Sequence, residues 1–372
     1  MRGDRVTAFP IAAAFAGTVM GAGFASGQEL MQFFVVYASR GYWGLALAAA
    51  LTSAAGILIM FRARRGGAEA APRRAARLMN GAMALFLFGL LVVMTAGGEE
   101  LLHLGWDAPP LLGGLLTAGL TAVTVAGGME RILKSFRVVV PVMMSAAAAA
   151  GIAVLIWGEW DAIPVHPSGW GSWTGSWLTA SLLYVSYNML AATAVLSPLG
   201  VAARGPRDVA AGAALGGGGL GLLALILCTA IARRFGLAEH HPLPMVALSH
   251  EVHPLLGHIY AVALFISIYT TAVGCLTGFM DRIGADRSTN SRMMVFAVCA
   301  LALLGSRIGF ARLVSRVYPI SGIAGAVVFI AMAADSARQA VRRLIGRARE
   351  SSRSLTPSAR SNRAPGSPSA WD

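Results

Sequence analysis

Charged residues are scarce in this 372-residue chain. Only 13% of its residues are charged, whereas 56% are hydrophobic, and a soluble globular domain carries about 25% charged residues. The composition excludes both intrinsic disorder and a soluble globular protein. Cysteine is scarce as well, because only Cys228, Cys275 and Cys299 are present, and all three fall in apolar segments. The sequence therefore predicts a polytopic membrane protein without a disulfide framework.

Motifs that carry enzyme chemistry are also missing. No nucleophile–base pair, metal-ligand motif or phosphate-binding loop occurs in a suitable context. We therefore expect a protein that is not an enzyme and that has no cofactor. The first apolar segment has no convincing small-residue cleavage site and carries Glu29 near its far end, so we expect it to be kept as a membrane helix.

Long apolar runs dominate the rest of the sequence. A bilayer core of about 30 Å needs about 20 consecutive apolar residues in a helix, and about ten segments reach or approach this length. The fold class is therefore all-α, with about ten transmembrane helices. The segments lie near residues 7–38, 41–61, 78–103, 109–127, 138–157, 173–198, 210–232, 257–280, 292–306 and 313–334.

The loop from Gly158 to Gly171 divides these segments into two sets of five. An odd number of spans in each half places the halves in opposite orientations, so we expect inverted repeats at about 1–157 and 173–334 within a membrane domain of residues 1–334. Residues 335–372 are rich in Arg, Ser and Pro, which predicts a basic and largely disordered tail.

The basic residues indicate how the chain is oriented. The formal net charge is +13, but the basic residues are spread over loops, so we expect no nucleic-acid partner. A cytoplasmic N-terminus places most of the 30 Lys and Arg residues inside, as the positive-inside rule requires. Both termini are therefore predicted to be cytoplasmic, in a bacterial cell membrane. The exceptions are Arg40, Arg233, Arg234, Arg307, Arg312 and Arg316.

The run from Gly21 to Glu29 interrupts the first apolar span. Each of its three glycines costs a helix about 1 kcal/mol relative to alanine, and Gln28 and Glu29 bring polar side chains to membrane depth. Such a segment is stable only where it lines a cavity inside the protein. We therefore predict a broken first helix, which is typical of a transporter.

Span six is the counterpart of span one in an inverted repeat, so we expect it to be broken as well. It carries Tyr184 to Asn188 at its centre and Ser197 to Gly200 near its end. Two interrupted helices in matching positions indicate a substrate site near the bilayer midplane.

Four motifs together resemble one family of membrane proteins. They are the runs GAGFASGQE at 21–29, YVSYN at 184–188, IYTTAVG at 268–274 and VYPISG at 317–322. The chain thus resembles the YkvI-type family of amino-acid permeases, which is similar to the amino acid–polyamine–organocation superfamily. That resemblance implies the ten-helix inverted-repeat fold of the leucine transporter, and ion-coupled transport of a small amino acid or related zwitterion. Since one fold hosts several substrates, the function is inferred by analogy.

The resemblance also implies a substrate site at the first break. In the superfamily, a Gly-x-Gly at this point exposes backbone amides to the substrate carboxylate, and Gly21, Ala22 and Gly23 occupy the matching positions. A half-helix that begins at about Phe24 would present free N–H groups to an anion. The alternative is that these glycines only allow close helix packing.

Three polar residues of span six are candidates for the same pocket. Tyr184, Tyr187 and Asn188 lie mid-span, where they are expected to close the pocket and bond the substrate's amine or an ion. The alternative is that the tyrosines are interfacial anchors.

Helix eight carries a candidate ion site. Ser267, Thr270 and Thr271 stand at i, i+3 and i+4, on one helical face. Their oxygens suit a small hard cation, although Ser and Thr in membrane helices commonly bond their own backbone. The resemblance implies a sodium ion between these residues and the carbonyls of Gly17 and Met20. Many relatives with this fold are coupled to protons or are exchangers, so both sodium and proton coupling stay open.

Carboxylates inside or near apolar spans are candidates for proton coupling. They are Glu29, Glu99 and Glu100, and an ionised carboxylate at the midplane is costly unless it is paired. Glu29 is the better candidate, because Glu99 and Glu100 near the outer end of helix three are equally consistent with solvated mouth residues.

A histidine-rich segment lies outside the membrane, between helices seven and eight. Clustered histidine can bind zinc or sense pH, but its spacing fits no ligand pattern, so we expect a solvated loop without a metal. Its histidines are His240, His241, His250, His253 and His258.

Two alternative functions remain. A metal-ion carrier of the same fold is one, but such carriers resemble one another in an Asp-Pro-Gly motif at the first break. This chain has no Asp within 21–29, and Met189 alone gives poor support. A membrane sensor or receptor built on a transporter fold is the other.

Overall fold

The computed structural model describes residues 5–65, 73–127, 132–161, 174–284 and 289–327. For residues 73–79, 132–138 and 289–290 it describes the backbone alone. These residues are mostly helical and form no strand beyond one isolated bridge, so the all-α prediction is confirmed. The elements are α1 (Ala8–Val19), α2 (Ala22–Ser26), α3 (Gln28–Phe33), the 3₁₀ turn η1 (Val35–Tyr37), α4 (Ser39–Arg64), α5 (Arg73–Trp106), α6 (Pro110–Ala126), α7 (Ile132–Trp157), α8 (Trp177–Ala202), α9 (Pro206–Arg233), α10 (Phe235–Ala238), α11 (Pro244–Val252), α12 (Pro254–Arg282), α13 (Thr289–Ser306) and α14 (Phe310–Val327).

These helices account for the predicted membrane spans. Six of those described are long and apolar enough to cross a bilayer by themselves, namely α4, α5, α7, α8, α9 and α12. The helices α13 and α14 meet at a bend of 110° around Arg307 to Gly309, and α1 and α6 are shorter apolar helices. Residues 328–334 of the last predicted span and the predicted tail at 335–372 lie outside the described residues.

The first span is broken, as predicted, but in two places. The first break is at Met20 and Gly21, where the backbone becomes extended between α1 and α2. The second is at Gly27, which has φ +85° and ends α2. Glycine adopts this left-handed conformation without a steric penalty. The half-helix begins at Ala22 rather than at Phe24, and it is only one turn long.

Helix six is not broken, contrary to the prediction. α8 runs continuously from Trp177 to Ala202, with Pro198 inside its last turns. Its mid-span polar side chains bond carbonyls one turn earlier in the same helix: Ser186 to Leu182, Asn188 to Tyr184 and Thr193 to Met189. Polar residues that are satisfied within their own helix need no irregular backbone.

The packing of the helices agrees with a two-fold relation between the halves. α1 packs against α9 as α8 packs against α4, and α5 packs against α13 as α12 packs against α6. Three further contacts, α4 with α9, α5 with α12 and α6 with α13, each join a helix to its counterpart. These pairs support the inverted repeat, whose bounds at 1–157 and 173–334 stay a prediction.

Candidate functional site

The candidate site is built around Glu29, which follows the second break of the first span. α3 begins at Gln28, so Glu29 lies in its first turn and points back toward α2. A Cβ added to Gly23 would lie 2.8 Å from Cδ of Glu29 and would overlap its carboxylate. A methyl group at 23 would therefore displace the carboxylate of Glu29, which fills the space beside the glycine.

Aromatic rings surround this carboxylate. The Tyr187 hydroxyl donates a hydrogen bond to Oε2 of Glu29 at 2.7 Å, and the side chain of Tyr318 interacts with the same carboxylate. The rings of Tyr187 and Tyr318 meet edge to face, with centroids 4.9 Å apart. Tyr184 packs against Tyr187 in the same way at 5.6 Å. This aromatic cluster joins α3, α8 and α14.

Two phenylalanines of the first span complete the cluster. The ring centroid of Phe33 lies 5.6 Å from that of Tyr184 and 5.7 Å from that of Tyr187. The ring centroid of Phe34 lies 5.0 Å from that of Tyr184. Aromatic pairs in such tilted or edge-to-face arrangements contribute about 0.5–1.5 kcal/mol beyond their burial. The side chains on either side of the carboxylate are therefore held in fixed positions.

Glu29 is almost completely buried, with 2% of its surface exposed. Within the described residues, no Lys, Arg or His side chain pairs with it. A buried carboxylate that lacks a cationic partner is costly when it is ionised, and the phenol hydroxyls offset only part of that cost. The position is therefore suited to binding a cation or a proton.

Two glutamines on α3 lie beside this carboxylate in the chain. Gln28 and Gln32 are one helical turn apart and share one face, and both are buried. Both amide atoms of Gln28 and the Oε1 atom of Gln32 have no hydrogen-bond partner in the described part of the chain. Buried amides of this kind are normally satisfied, so these two can bind water or a polar solute.

The face opposite the N-terminus is covered by a lid made of α10 and α11. A Cβ at Gly27 would lie 3.0 Å from Met245 of α11 and 2.8 Å from Ile231 of α9. The hydroxyl of Tyr260 in α12 donates to the carbonyl of Ala25 at 2.5 Å. The lid and α12 therefore close directly onto α2 and the second break.

An ion network holds the ends of this lid. Arg234 forms a bidentate pair with Glu251 of α11, and it also bonds Asp161 at 2.5 Å and Glu159 at 3.0 Å. Hydrogen bonding with Glu251 raises the pKa of the Arg234 guanidinium, so it stays charged. The neighbouring Arg233 lies over the Trp160 ring, 3.3 Å from its centroid. The network joins the lid to the loop after α7.

The face that carries the N-terminus is closed by a different set of contacts. Val6 exchanges backbone hydrogen bonds with Ala202 and Arg204, at 3.0 and 2.9 Å. Arg64 at the end of α4 donates to the carbonyls of Ala203 at 2.6 Å and Gly200 at 3.2 Å. The N-terminal segment is thereby fixed to the end of α8 on this face.

Two apolar cavities flank the aromatic cluster. The larger, of about 350 Å³, lies between η1, α4 and α9 and reaches Phe34. The smaller, of about 20 Å³, lies beside the first break. Phe24, Val19 and Tyr184 line the smaller one, and Leu45 lines both. A solute of amino-acid size needs more room than the smaller cavity offers, so α2 and α3 must move to admit it.

The remaining predicted substrate residues are spread around this break. Gly21 has open space beside its Cα, whereas Ala22 and Phe24 are buried. Asn188 is buried as well, but its amide donates to the carbonyl of Tyr184 in its own helix at 3.0 Å. The structure thus brings Gly23, Tyr184 and Tyr187 to Glu29 and gives Asn188 a local partner.

The predicted ion ligands lie at the end of α1 and in α12. Gly17 packs against Val140 of α7, and Met20 is the buried C-cap of α1. The Thr270 hydroxyl donates to the carbonyl of Ser267 at 3.1 Å, as Ser and Thr commonly do in membrane helices. Thr271 is half-buried on the same helix.

The other two carboxylates lie on α5. Glu99 is buried and accepts a hydrogen bond from the Ser306 hydroxyl of α13 at 2.8 Å. A Cβ at Gly114 of α6 would lie 2.8 Å from Cγ of Glu99. Glu99 is therefore packed between three helices, whereas Glu100 is half-buried.

Several site residues were not predicted as such. The aromatic cluster also includes Tyr318, Phe33 and Phe34. Gln32 adds a buried side-chain oxygen without a hydrogen-bond partner among the described residues. The spacing of Glu29 and Phe33 at i, i+4 could have placed Phe33 on the face of Glu29. Nothing in the sequence indicated that Tyr318 of α14 reaches Glu29.

The histidine-rich segment, predicted to be a solvated loop, forms the helical lid of α10 and α11. His250 of α11 and His258 of α12 pack with ring centroids 5.1 Å apart, and His258 packs on Trp106. Burial, together with the neighbouring His240, lowers the pKa of His241. No group of three His, Cys, Asp or Glu side chains suited to a metal ion is found in the described ranges.

Comparison with known proteins gives two sequence relatives, and no family model matches. The uncharacterized membrane protein YkvI of Bacillus subtilis (strain 168) is 25% identical over 334 residues, which cover 87% of this chain and 94% of YkvI. The uncharacterized protein YyaD of the same strain is 24% identical over 315 residues, which cover 82% and 90% of the two chains. Neither name is that of an enzyme.

Comparison with solved structures matches the chain to a manganese transporter of Eremococcus coleocola bound to an aromatic bis-isothiourea compound. The TM-score is 0.47 at 13% identity, and the match covers 85% of this chain and 75% of the transporter. A mutant of the same transporter gives a TM-score of 0.46 at 14% identity, covering 86% and 76%. This loose likeness assigns no residue. The chain is thus an integral membrane protein, similar in sequence to the membrane protein YkvI.

Proposed function

We propose that this protein is a secondary transporter that carries a small amino acid or a related zwitterion by alternating access. The observation that supports this most strongly is the buried Glu29 carboxylate at a doubly broken first helix. Irregular backbone and an unpaired carboxylate at membrane depth are both costly, and both are typical of substrate and ion pathways. Closure of the site from both faces is what a carrier needs between its two open states.

The contacts suggest how a solute would bind. Its ammonium group would pair with Glu29 and lie against the rings of Tyr187 and Tyr318, since a cation is attracted to aromatic faces. Its carboxylate would approach the backbone at Gly21, where the space beside Cα is open. The buried amides of Gln28 and Gln32 offer further hydrogen bonds.

Coupling to sodium or protons is part of the proposal. Among the described residues, the Gly17 carbonyl accepts no recorded backbone hydrogen bond, because the N–H of Gly21 bonds Val19 instead. Free carbonyls in the last turn of a helix are suitable cation ligands. A sodium ion would be held between this carbonyl and Ser267 and Thr271 of α12, whereas a proton would use Glu29.

Ligand-dependent thermal stability of the purified, full-length protein tests this function. The panel contains amino acids, small amines and Mn²⁺, each with sodium or potassium and at two pH values. A ligand that binds only the folded state raises stability by about 2.7 kcal/mol at 100 times its Kd. We expect one class of amine-bearing solute to raise the melting temperature. Stabilisation by Mn²⁺ alone would favour the metal-ion carrier instead.

A membrane sensor is distinguished from a transporter by flux. Solute binding without accumulation or exchange in reconstituted vesicles would favour the sensor, and sustained exchange would contradict it. Thr271→Ala then separates the two coupling ions, since it should weaken stabilisation by a sodium-dependent solute and leave a proton-dependent one unaffected.

A further inference from the structure

The environment of Glu29 limits what can neutralise its charge. The titratable side chains that face it are Tyr187 and Tyr184 of α8 and Tyr318 of α14. Behind them, Cys228 of α9 faces Tyr184, and Cys275 of α12 faces Tyr318. All of these groups are weak acids, and none is a base. Within the described residues, the protein therefore supplies no cation to this carboxylate.

A single buried negative charge has two practical partners. One is a proton, which makes the group neutral, and the other is a cation of the solute. The edge-to-face rings beside the carboxylate favour an organic cation, because aromatic faces attract ammonium and guanidinium groups. Both partners need the same carboxylate oxygens, which Gly23 and the tyrosines enclose.

We infer that Glu29 binds either a proton or the ammonium or guanidinium group of the solute, so that the protein exchanges protons for a small organic cation. This inference rests on the proposed transport function and names its substrate class and coupling mode. When the solute cation binds, the O–H bond of the carboxylic acid breaks and the proton leaves to the water on that face. At the other face the cation leaves and a proton rebinds. Exchange of a singly charged cation for a proton moves no net charge.

A solute carboxylate is not required under this scheme. The carboxylate beside Gly23 belongs to the protein itself, so a permanent cation such as guanidinium or choline is sufficient as a probe. Neutral solutes of similar size should not bind, because they leave the buried charge without a partner.

The direction of proton movement tests the inference. The full-length protein is reconstituted in liposomes that contain a pH-sensitive dye, and guanidinium, choline or glycine is added outside together with labelled tracer. Exchange makes the lumen more alkaline, by about one proton per singly charged solute, and it does not depend on membrane voltage. Symport would make the lumen more acidic.

The outcomes of this experiment distinguish a failure of the proton exchange from a failure of the transport function. Tracer uptake with luminal acidification, or without any proton movement, would overturn the exchange and leave the transporter intact. Absence of tracer uptake for every member of the panel would overturn both. Uptake of glycine alone, with neither cation transported, would overturn the substrate class.

Variants at Glu29 complete the test. Glu29→Gln should weaken the binding of both cations and lower proton movement at least about tenfold, whereas Glu29→Asp keeps a carboxylate and should retain exchange at a reduced rate. Glu239→Gln makes the same chemical change in the lid and serves as the matched control. Thermal unfolding of each variant confirms that it is folded. Proton movement that is undiminished in a folded Glu29→Gln protein would contradict the inference.

Discussion

Glu29 and Glu99 are both buried carboxylates in membrane-spanning helices, and each lies against a glycine of a neighbouring segment. Glu29 follows two breaks in the first span and is surrounded by tyrosines. Glu99 lies within the continuous helix α5, where its partner is the Ser306 hydroxyl. The same chemical group is thus placed once in irregular backbone and once in a regular helix.

The difference indicates which carboxylate can take part in transport. A residue beside Gly27 can move when the backbone of α2 and α3 rearranges, because few helical hydrogen bonds hold these short elements. Glu99 cannot move without disturbing the packing of α5, α6 and α13. We therefore expect Glu29 to act in coupling and Glu99 to stabilise a helix interface. The predictions below change both sites in parallel.

The largest effect is expected from neutralising the carboxylates. A hydrogen bond to a charged group contributes about 1.5–3 kcal/mol, so Glu29→Gln should lower solute exchange by about 10- to 150-fold. Glu99→Gln should change exchange by less than about threefold, which corresponds to well under 1 kcal/mol. Tracer exchange in liposomes measures both. If Glu99→Gln proved the more damaging change, the proton role would pass to Glu99.

The next largest effects are expected at the two glycines that lie against these carboxylates, Gly23 and Gly114. Gly23→Ala and Gly114→Ala each place a methyl group where a Glu carboxylate lies, so each should cost about 1–3 kcal/mol of stability through overpacking. Only Gly23→Ala should also suppress exchange, since it displaces Glu29.

Gly219→Ala in α9 is the matched control for this pair, because open space lies beside Gly219 and it lies outside the site. It should be as stable as the wild type or more stable by up to about 1 kcal/mol, because alanine is the better helix former. Thermal unfolding combined with tracer exchange gives both quantities. Equal loss of exchange in Gly23→Ala and Gly114→Ala would remove the distinction between the sites.

Removing the hydroxyl groups that donate to the carboxylates should affect exchange less than the glycine substitutions do, with a similar loss of stability. Tyr187→Phe removes the donor to Glu29, and Ser306→Ala removes the donor to Glu99. Each should lower stability by about 1–3 kcal/mol, because a buried acceptor loses its partner. Tyr187→Phe should also change the pH dependence of exchange, whereas Ser306→Ala should not. A pH profile that is unchanged in Tyr187→Phe would argue against a role for this hydrogen bond.

The smallest effects concern buried polar groups that have no recorded partner. Gln28 beside Glu29 and Thr117 of α6 both carry such groups within the described residues. Thr117→Val and Gln28→Leu should each be neutral or stabilising by about 1 kcal/mol, since an unsatisfied polar group is removed. Only Gln28→Leu should weaken solute binding, which the thermal shift with solute measures. Equal solute shifts in both variants would place Gln28 outside the site.

The sequence predicted the fold better than the site. Apolar length predicted helices where the described residues form them, and six or seven of these are long and apolar enough to cross a bilayer, because the hydrophobic thickness of a bilayer sets a strong lower limit on their length. The glycines at 21, 23 and 27 predicted the break in the first span, since their cost in a helix is local. The break in helix six was wrong, because the side chains of Ser186, Asn188 and Thr193 bond their own helix.

The site could be predicted only in part, since most of it depends on contacts between distant segments. Glu29 and the tyrosines of α8 were recognisable as polar residues in apolar spans. The contact with Tyr318, the closure of Gly27 by Met245 and the position of the carboxylate over Gly23 join residues that are far apart in the sequence or held by an irregular turn. Periodicity carries no information about such contacts.

Solute counterflow is the most direct test of the central claim that the doubly broken first span holds the solute site of a transporter. Liposomes with the full-length protein are loaded with unlabelled solute from the class that stabilises it, and entry of labelled solute is followed. We predict rapid entry for the wild type and for Gly219→Ala, and loss of entry for Gly23→Ala that is still folded. Unchanged counterflow in Gly23→Ala, or binding without any counterflow in the wild type, would contradict the account.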